Sequence, residues 1–322
     1  MKTFKLIILA LSLSAVCCAS PPRAEFEITL GIPSAVNSAE RDSTLGVLRR
    51  RIEKIAGGSF DFIPSGDGKY TLSLHTALTD RELEYVLTSP GRLEFWELCY
   101  WNRDLADILP WGGQLREEEE TESNRNFKLL ASRIPWRASD SDACALEGIP
   151  VEAYPLVITA LDSLKAAGMI PGKIRLGRRA RRDAFGNDVY TVYLLKWNPA
   201  LNGPVIDQSF IEKIAYVAPS GERYFPELNL VFNEEGAGRW KKITHENIGK
   251  DIAITFDDEI LMVPRVFSSI ESGKVTISTG TEPVGTGEFV LKCMPAIVGS
   301  GILTLPVGCR RTGGELGPEA AR

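Results

Sequence analysis

Few residues of this chain have the types and spacing that chemistry requires. The sequence contains two histidines, His75 and His245, and six cysteines. Zinc enzymes generally use more histidine than this. No CxxC pair, HExxH motif, phosphate-binding loop or nucleophile elbow occurs. We therefore predict no catalytic residue, no metal site and no cofactor, and expect a protein that is not an enzyme.

Two charged clusters are candidate binding sites. The acidic run Asp257-Asp258-Glu259 lacks the alternating ligand positions of a calcium loop, which favours a tight hairpin turn. The densest basic cluster, Arg178 to Arg182, has two interpretations. It could bind acidic lipid head groups or an acidic polypeptide segment, or it could be a solvated loop entering a strand, which we favour.

The N-terminal residues have the features of an export signal. Lys2 and Lys5 precede the short apolar run Leu6 to Leu13, and small residues with two cysteines follow. We assign residues 1–19 to a signal peptide and expect an extracytoplasmic, periplasmic protein. Two forms stay open: lipidation at Cys17, slightly favoured although the preceding residues are an imperfect lipobox, or cleavage after Ala19. No later stretch is long and apolar enough to span a bilayer, so a lipid would be the only membrane anchor.

The remaining four cysteines leave two alternatives. In an oxidising compartment they could form disulfides, and four free structural thiols are equally expected. Locality in the sequence would favour the pairs Cys99–Cys144 and Cys293–Cys309. A formal net charge of −5 argues against nucleic acid as a partner. The length suggests two domains rather than one.

The first hundred residues alternate between strand and helix patterns. Strands are predicted at residues 25–32, 60–63, 70–74 and 93–96, and helices at residues 43–57 and 80–88. Thr79 and Glu82 have the spacing of a capping box, and Gly57 and Gly58 mark a helix end. The order strand, helix, strand, strand, helix, strand is typical of a ferredoxin-like fold, of class α+β.

A less regular stretch separates this unit from a second one. Residues 99–147 give no steady period, and a helix at residues 159–167 and a hairpin about Gly186-Asn187 follow. In the second unit, strands are predicted at residues 210–217, 228–232, 252–256, 260–263 and 274–278. Asn233 is placed as the N-cap of a helix whose apolar stripe comprises Ala237, Trp240, Ile243 and Ile248. The tail, residues 312–322, is expected to be disordered.

Three stretches resemble the first periplasmic domain of SecD and SecDF, subunits of the preprotein translocase. They are residues 43–57 with the strand at 92–98, residues 228–280, and residues 301–307. The second stretch is the most specific. Its matching positions include Asn233, Gly236, Asn247, Gly249, Lys250, Asp257, Pro264 and Gly273. Gly249 suits a helix end that requires a positive φ, and Pro264 suits the end of an edge strand.

The resemblance implies an architecture and a role. A base subdomain would comprise residues 24–98 and 281–311, with a head, residues 148–280, inserted between. The family's transmembrane helices, which conduct protons, do not follow here, so we expect no proton-driven motion from this chain alone.

The implied function is accessory to protein translocation. The partners would be the Sec translocon or unfolded exported polypeptides, held by strand addition at residues 274–278 or 189–195. The alternative is an envelope lipoprotein that reuses the fold as a scaffold or binding module unrelated to secretion.

Overall fold

The structure is a computed structural model. It describes residues 23–30, 38–66, 68–99, 137–138, 145–166, 174–182, 185–198, 201, 203–221, 224–278 and 288–311. The predicted signal peptide with Cys17, most of the irregular connection with Cys144, and the tail lie outside these residues.

The described chain contains mixed helices and strands, which confirms the α+β class. The helices are α1 Ser38–Ile55, α2 Asp80–Thr88, α3 Tyr154–Ala166, α4 Glu234–Glu246 and α5 Glu288–Val298. The strands are β1 Arg23–Leu30, β2 Asp61–Gly66, β3 Lys69–His75, β4 Leu93–Glu97, β5 Arg137–Ala138, β6 Ala145–Pro150, β7 Ile174–Arg182, β8 Asp188–Lys196, β9 Ile206–Asp207, β10 Ile211–Val217, β11 Glu227–Phe232, β12 Ile252–Phe256, β13 Glu259–Met262, β14 Lys274–Ser278 and β15 Val307–Arg311. None of these helices is long and apolar enough to cross a membrane.

The base is a four-stranded antiparallel sheet in the order β15-β1-β3-β2. Apolar side chains of α1, α2, β3 and β15 form its core, among them Leu48, Leu72, Leu83 and Val307. This is a ferredoxin-like order, but its fourth strand is β15, from the far end of the chain, and not the strand predicted near Leu93.

That predicted strand exists as β4 and lies in another sheet. It pairs with β12, where Phe95 faces Ile254, and with β9. Leu93, Phe95 and Trp96 are all fully buried. A strand that is apolar on both faces needs cover on both, which a position inside a larger sheet provides. This sheet has eight strands in the order β5-β6-β8-β7-β13-β12-β4-β9.

A third sheet, β10-β11-β14, belongs to the head and packs against α4 and α5. Helix α5 joins the base to the head. Its Val290, Leu291 and Met294 lie in the same buried cluster as Val86 of α2 and Trp240 of α4. The predicted limits of base and head remain a proposal. In the described residues, this second buried cluster extends from α2 and α5 to α4, apart from the core of the base.

Local signals explain several element boundaries. Thr79 Oγ1 accepts from the Glu82 N–H, and Glu82 Oε2 accepts from the Thr79 N–H at 2.8 Å, which is the predicted capping box. Asn233 Oδ1 accepts from the Gly236 N–H at 2.8 Å, so Asn233 is the N-cap of α4 as predicted. Asp257 and Asp258 both have positive φ, 49° and 70°, as a tight two-residue hairpin turn requires.

Candidate functional site

A buried arginine ties together the elements that meet between base and head. Arg51 of α1 is fully buried, and its guanidinium donates to four backbone carbonyls. Nη1 lies 2.8 Å from Val86 O and 2.6 Å from Ser89 O, and Nη2 lies 3.0 Å from Pro90 O and 3.2 Å from Gly301 O. The side chain therefore satisfies the carbonyls that end α2 and one in the loop after α5.

Asp257 approaches the same loop from the head. Its Oδ1 accepts from the backbone N–H groups of Gly91 and Arg92 at 2.7 and 2.8 Å, and its own N–H donates to Arg92 O. The turn between β12 and β13 is thus bonded to the segment between α2 and β4. The predicted hairpin turn is also an attachment point, which the sequence did not indicate.

The two charges experience opposing influences. Burial lowers the pKa of Arg51 to about 10, although Asp257 favours its charged form. Burial raises the pKa of Asp257, against hydrogen bonds from Arg92, Gly91 and Ser89 and the charge of Arg51. Each residue therefore reduces the cost of burying the other. Arg51, Asp257 and the segment between α2 and β4 thus form a polar joint between base and head.

Gly91 completes this joint because no side chain fits there. Its φ is +93°, and a Cβ would lie 2.7 Å from Arg51 Nη2 and 2.8 Å from Ile297 Cγ2. Glycine alone permits both the backbone conformation and the close approach.

An ion pair joins α2 to α5 near the joint. Lys292 Nζ lies 2.7 Å from Glu82 Oε1, and the Glu82 side chain is mostly buried. Burial alone would raise the pKa of Glu82, but hydrogen bonds from Lys292 and Thr79 outweigh it and lower that pKa. Glu82 thus caps α2 and anchors α5 with the same carboxylate.

The residues of the head that match the family motif pack closely against neighbouring elements or bond to them. A Cβ on Gly236 would meet Phe210 Cβ at 2.7 Å, and a Cβ on Gly273 would meet Ala237 Cβ at 2.6 Å. Asn247 is buried, and its Nδ2 donates to Glu97 Oε1 at 3.0 Å and to Ile243 O at 2.9 Å. These positions fix how α4 lies on the sheets.

The motif residues at the end of α4 and at the start of β12 likewise take part in hydrogen bonds within the fold, here between backbone groups. Gly249 has φ +80°, and its N–H donates to Val266 O. The Lys250 carbonyl accepts from Val266 N–H, and the Pro264 carbonyl accepts from Ile252 N–H. The motif therefore positions backbone, and we propose structural roles for all of these residues.

The outer edge of the three-stranded sheet is the clearest candidate for binding. In the described chain, β14 pairs with β11 and with no other strand. Phe232 N–H donates to Gly273 O, and bonded and non-bonded pairs alternate in an antiparallel ladder. Val275 and Ile277 therefore direct their backbone groups toward β11. Lys274, Thr276 and Ser278 direct theirs away from it, where an added strand would pair.

Two other sequence predictions, about a second sheet edge and about the apolar stripe of α4, are wrong. The second proposed edge, residues 189–195, lies in β8, which pairs on both sides with β6 and β7. Both faces of β8 are buried, at Val189 and Thr191 and at Val192 and Leu194. Ile248 is 49% exposed and lies outside the apolar stripe of α4, because the helix ends at Glu246.

Cys293 and Cys309 are free thiols. Cys99 and Cys293 are buried and Cys309 is partly buried, and the predicted pair Cys293–Cys309 is not formed. Burial, followed by nearby acidic side chains, raises the pKa of both Cys293 and Cys309 to about 12. Such thiols are protonated at neutral pH and poor nucleophiles. Cys144 lies outside the described residues, so the pair Cys99–Cys144 stays a prediction.

The remaining candidate groups do not converge. His75 ends β3 in the base, whereas His245 is exposed on α4 in the head. No group of three or more histidine, cysteine, aspartate or glutamate residues in the described chain could hold a metal ion. The arginines at 178–182 belong to β7, inside the eight-stranded sheet, so they are not a loop.

Sequence reasoning missed two contributors, Arg51 and α5. Arg51 lies in a run of three arginines, a pattern more typical of a solvated face. Its spacing of four from Val47 and three from Leu48 is the signal that places it on the buried stripe. In α5, Pro295 lies inside the helix and concealed its amphipathic period.

Comparison with known sequences identifies proteins that this chain resembles. Residues 186–290 match the family described as SecDF, P1 head subdomain. The SecD subunit of Rhodothermus marinus is 29% identical over 143 residues, which are 44% of this chain and 21% of that protein. SecDF of Thermus thermophilus is 30% identical over 98 residues, or 30% of this chain and 13% of that protein. The resemblance predicted from the sequence is confirmed.

Solved structures of SecDF are also similar. The SecDF described as a membrane component that enhances protein export is 13% identical with a TM-score of 0.44, over 91% of this chain and 99% of that chain. SecDF in its super-membrane-facing form gives 15% identity and a TM-score of 0.46, over 90% of this chain and 30% of that chain. The matched segments span about a fifth or less of the Rhodothermus and Thermus relatives.

Proposed function

We propose that this SecD-like chain is a non-enzymatic extracytoplasmic module that binds unfolded exported polypeptide, as an accessory to protein translocation. The observation that carries the proposal is the open edge of β14, whose outward backbone groups are available for strand addition. Strand addition uses main-chain hydrogen bonds and is largely independent of sequence, which suits a partner of varied sequence. The head-subdomain match at residues 186–290 supports the same role.

The proposal predicts that blocking this edge weakens binding. In Thr276→Pro the outward N–H is lost and the ring occupies the edge, while the bonds that Val275 and Ile277 make to β11 remain. Binding of a labelled unfolded exported protein, followed by fluorescence anisotropy, should fall by about tenfold or more. Thr276→Val is the matched control, since it keeps the N–H and loses only the hydroxyl bond to Asn229.

Two outcomes would count against the proposal. If the native protein binds the unfolded and the folded forms of the exported protein equally, or binds neither, the edge does not hold unfolded chains. If Thr276→Pro binds as well as Thr276→Val, a different surface is used. A scaffold in the cell envelope would then be the better account, and a pull-down with the Sec channel would test it.

Location is a second part of the proposal. We propose that the N-terminal signal directs export and that cleavage before Cys17 makes this cysteine the acylated first residue. Mass spectrometry of the protein purified from its native membrane fraction should give a lipid-modified N-terminus at Cys17. A start near Ser20 would instead indicate plain cleavage, and an intact Met1 would contradict export.

A further inference from the structure

A groove lies between base and head, on the side of the three-stranded sheet opposite to β14. It has a volume of about 700 Å³ and is lined by the end of α1, the loop before α2, strand β10 and helix α5. Ile211, Ile214, Leu78 and Pro295 form its apolar surface.

Strand β10 forms an edge of its sheet along this groove. Asn233 N–H donates to Phe210 O, which fixes the alternation of the β10–β11 ladder when it is counted along β11. On β10 itself the register shifts between Ile211 and Lys213, so that Lys213 lies opposite Val231 and Ile214 opposite Leu230. By that alternation, Lys213 directs its backbone groups toward β11, and Ile214 directs its N–H and C=O away from it. Because Ile214 also lines the groove, an extended segment lying there could pair with the backbone of β10.

The charge in the groove is unevenly balanced. Lys213 lies 3.6 Å from Glu212, and Lys292 is paired with Glu82. Lys54 makes no hydrogen bond or ion pair with any residue in the described part of the chain. It packs against Gly299, where a Cβ would collide with its amine. Partial burial and the neighbouring charge of Arg50 lower the pKa of Lys54.

We infer that this groove binds an extended polypeptide segment in which acidic residues alternate with apolar ones. A carboxylate on one face of such a segment would pair with Lys54. Side chains on its other face would cover Ile211 and Ile214, because successive side chains of a strand point to opposite faces. The inference rests on the proposed function, which supplies the polypeptide. It adds a preference for acidic residues, at the β10 edge of the sheet.

The test uses two labelled peptides of equal length, one alternating valine with glutamate and one alternating valine with threonine. The native protein should bind the glutamate peptide about fivefold more tightly, the effect of one exposed charge pair of about 1 kcal/mol. In Lys54→Met that difference should disappear, with binding of the threonine peptide unchanged. Lys69→Met is the matched control, because Lys69 is a paired lysine on β3 of the base and is not among the residues lining the groove.

The outcomes separate this inference from the proposed function. Equal affinity for the two peptides, or a Lys54→Met variant that behaves as Lys69→Met does, would overturn the groove as an acidic-segment site. The preference should weaken as salt is raised, since exposed charges are screened. If the glutamate preference holds while unfolded exported protein does not bind, the groove stands and the holding role fails.

Discussion

Replacing Arg51 with methionine is expected to lower the free energy of unfolding by about 3–5 kcal/mol, because a buried charged donor is removed and its buried acceptors lose their partner. Methionine keeps most of the aliphatic packing but donates no hydrogen bond. The carbonyls of Val86, Ser89, Pro90 and Gly301 would lose their donor in a buried setting. Asp257 would lose the positive charge that favours its ionised form.

Arg49→Met is the matched control for this change. Arg49 is an exposed member of the same arginine run, so its replacement should change stability by no more than about 0.5 kcal/mol. Denaturant unfolding followed by tryptophan fluorescence measures both variants, and a lower midpoint with an unchanged slope indicates a pure loss of stability. Equal midpoints for Arg51→Met and Arg49→Met would show that the carbonyl network contributes little.

What the sequence predicted well is local. A capping box, an N-cap and a two-residue turn are decided by residues within a few positions of one another, so Thr79 with Glu82, Asn233 and Asp257 were assigned correctly. The helix periods of α1, α2 and α4 were also predictable, whereas that of α5 was not. The predicted apolar stripe of α4 is wrong only at Ile248. This residue follows the last turn of the helix, where helical spacing no longer determines which way a side chain points.

What it did not predict depends on distant partners. An alternating pattern identifies a strand but not its neighbours, so β4 was assigned to the base, whereas it pairs with β12 of the head. The same limit made β8 look like a free edge. The sequence predicts residues 274–278 as a strand at an edge. Which of its backbone groups face outward could be assigned only from the hydrogen bond between Phe232 N–H and Gly273 O.

The joint between base and head shows this limit most clearly. Arg51, Gly91, Asp257 and Gly301 are far apart in sequence and carry no common motif. Their relation depends on α5 and β15 returning from the C-terminal part of the chain to complete the base. A resemblance could suggest that both ends of the segment form the base. It could not suggest that one guanidinium satisfies four carbonyls.

The buried cluster that extends from α2 and α5 to α4 makes Trp240 the second site of large expected effect. Trp240 is 4% exposed, and its ring centroid lies 5.4 Å from that of Phe95 and 5.9 Å from that of Phe232. Phe95 belongs to β4, and Phe232 ends β11, so the indole joins two sheets through α4. Trp240→Ala should reduce the free energy of unfolding by about 3–5 kcal/mol, through lost burial and the cavity that remains.

Trp240→Phe supplies the matched comparison. The indole Nε1 is buried with no hydrogen-bond partner among the described residues, so phenylalanine removes an unsatisfied donor while keeping an aromatic ring. Its cost should stay below about 1.5 kcal/mol. Calorimetric melting of both variants measures the difference. An alanine variant that melts with the native protein would show that the ring does not hold α4 to the sheets. Equal large losses in both variants would instead assign the effect to the indole shape rather than to aromatic packing.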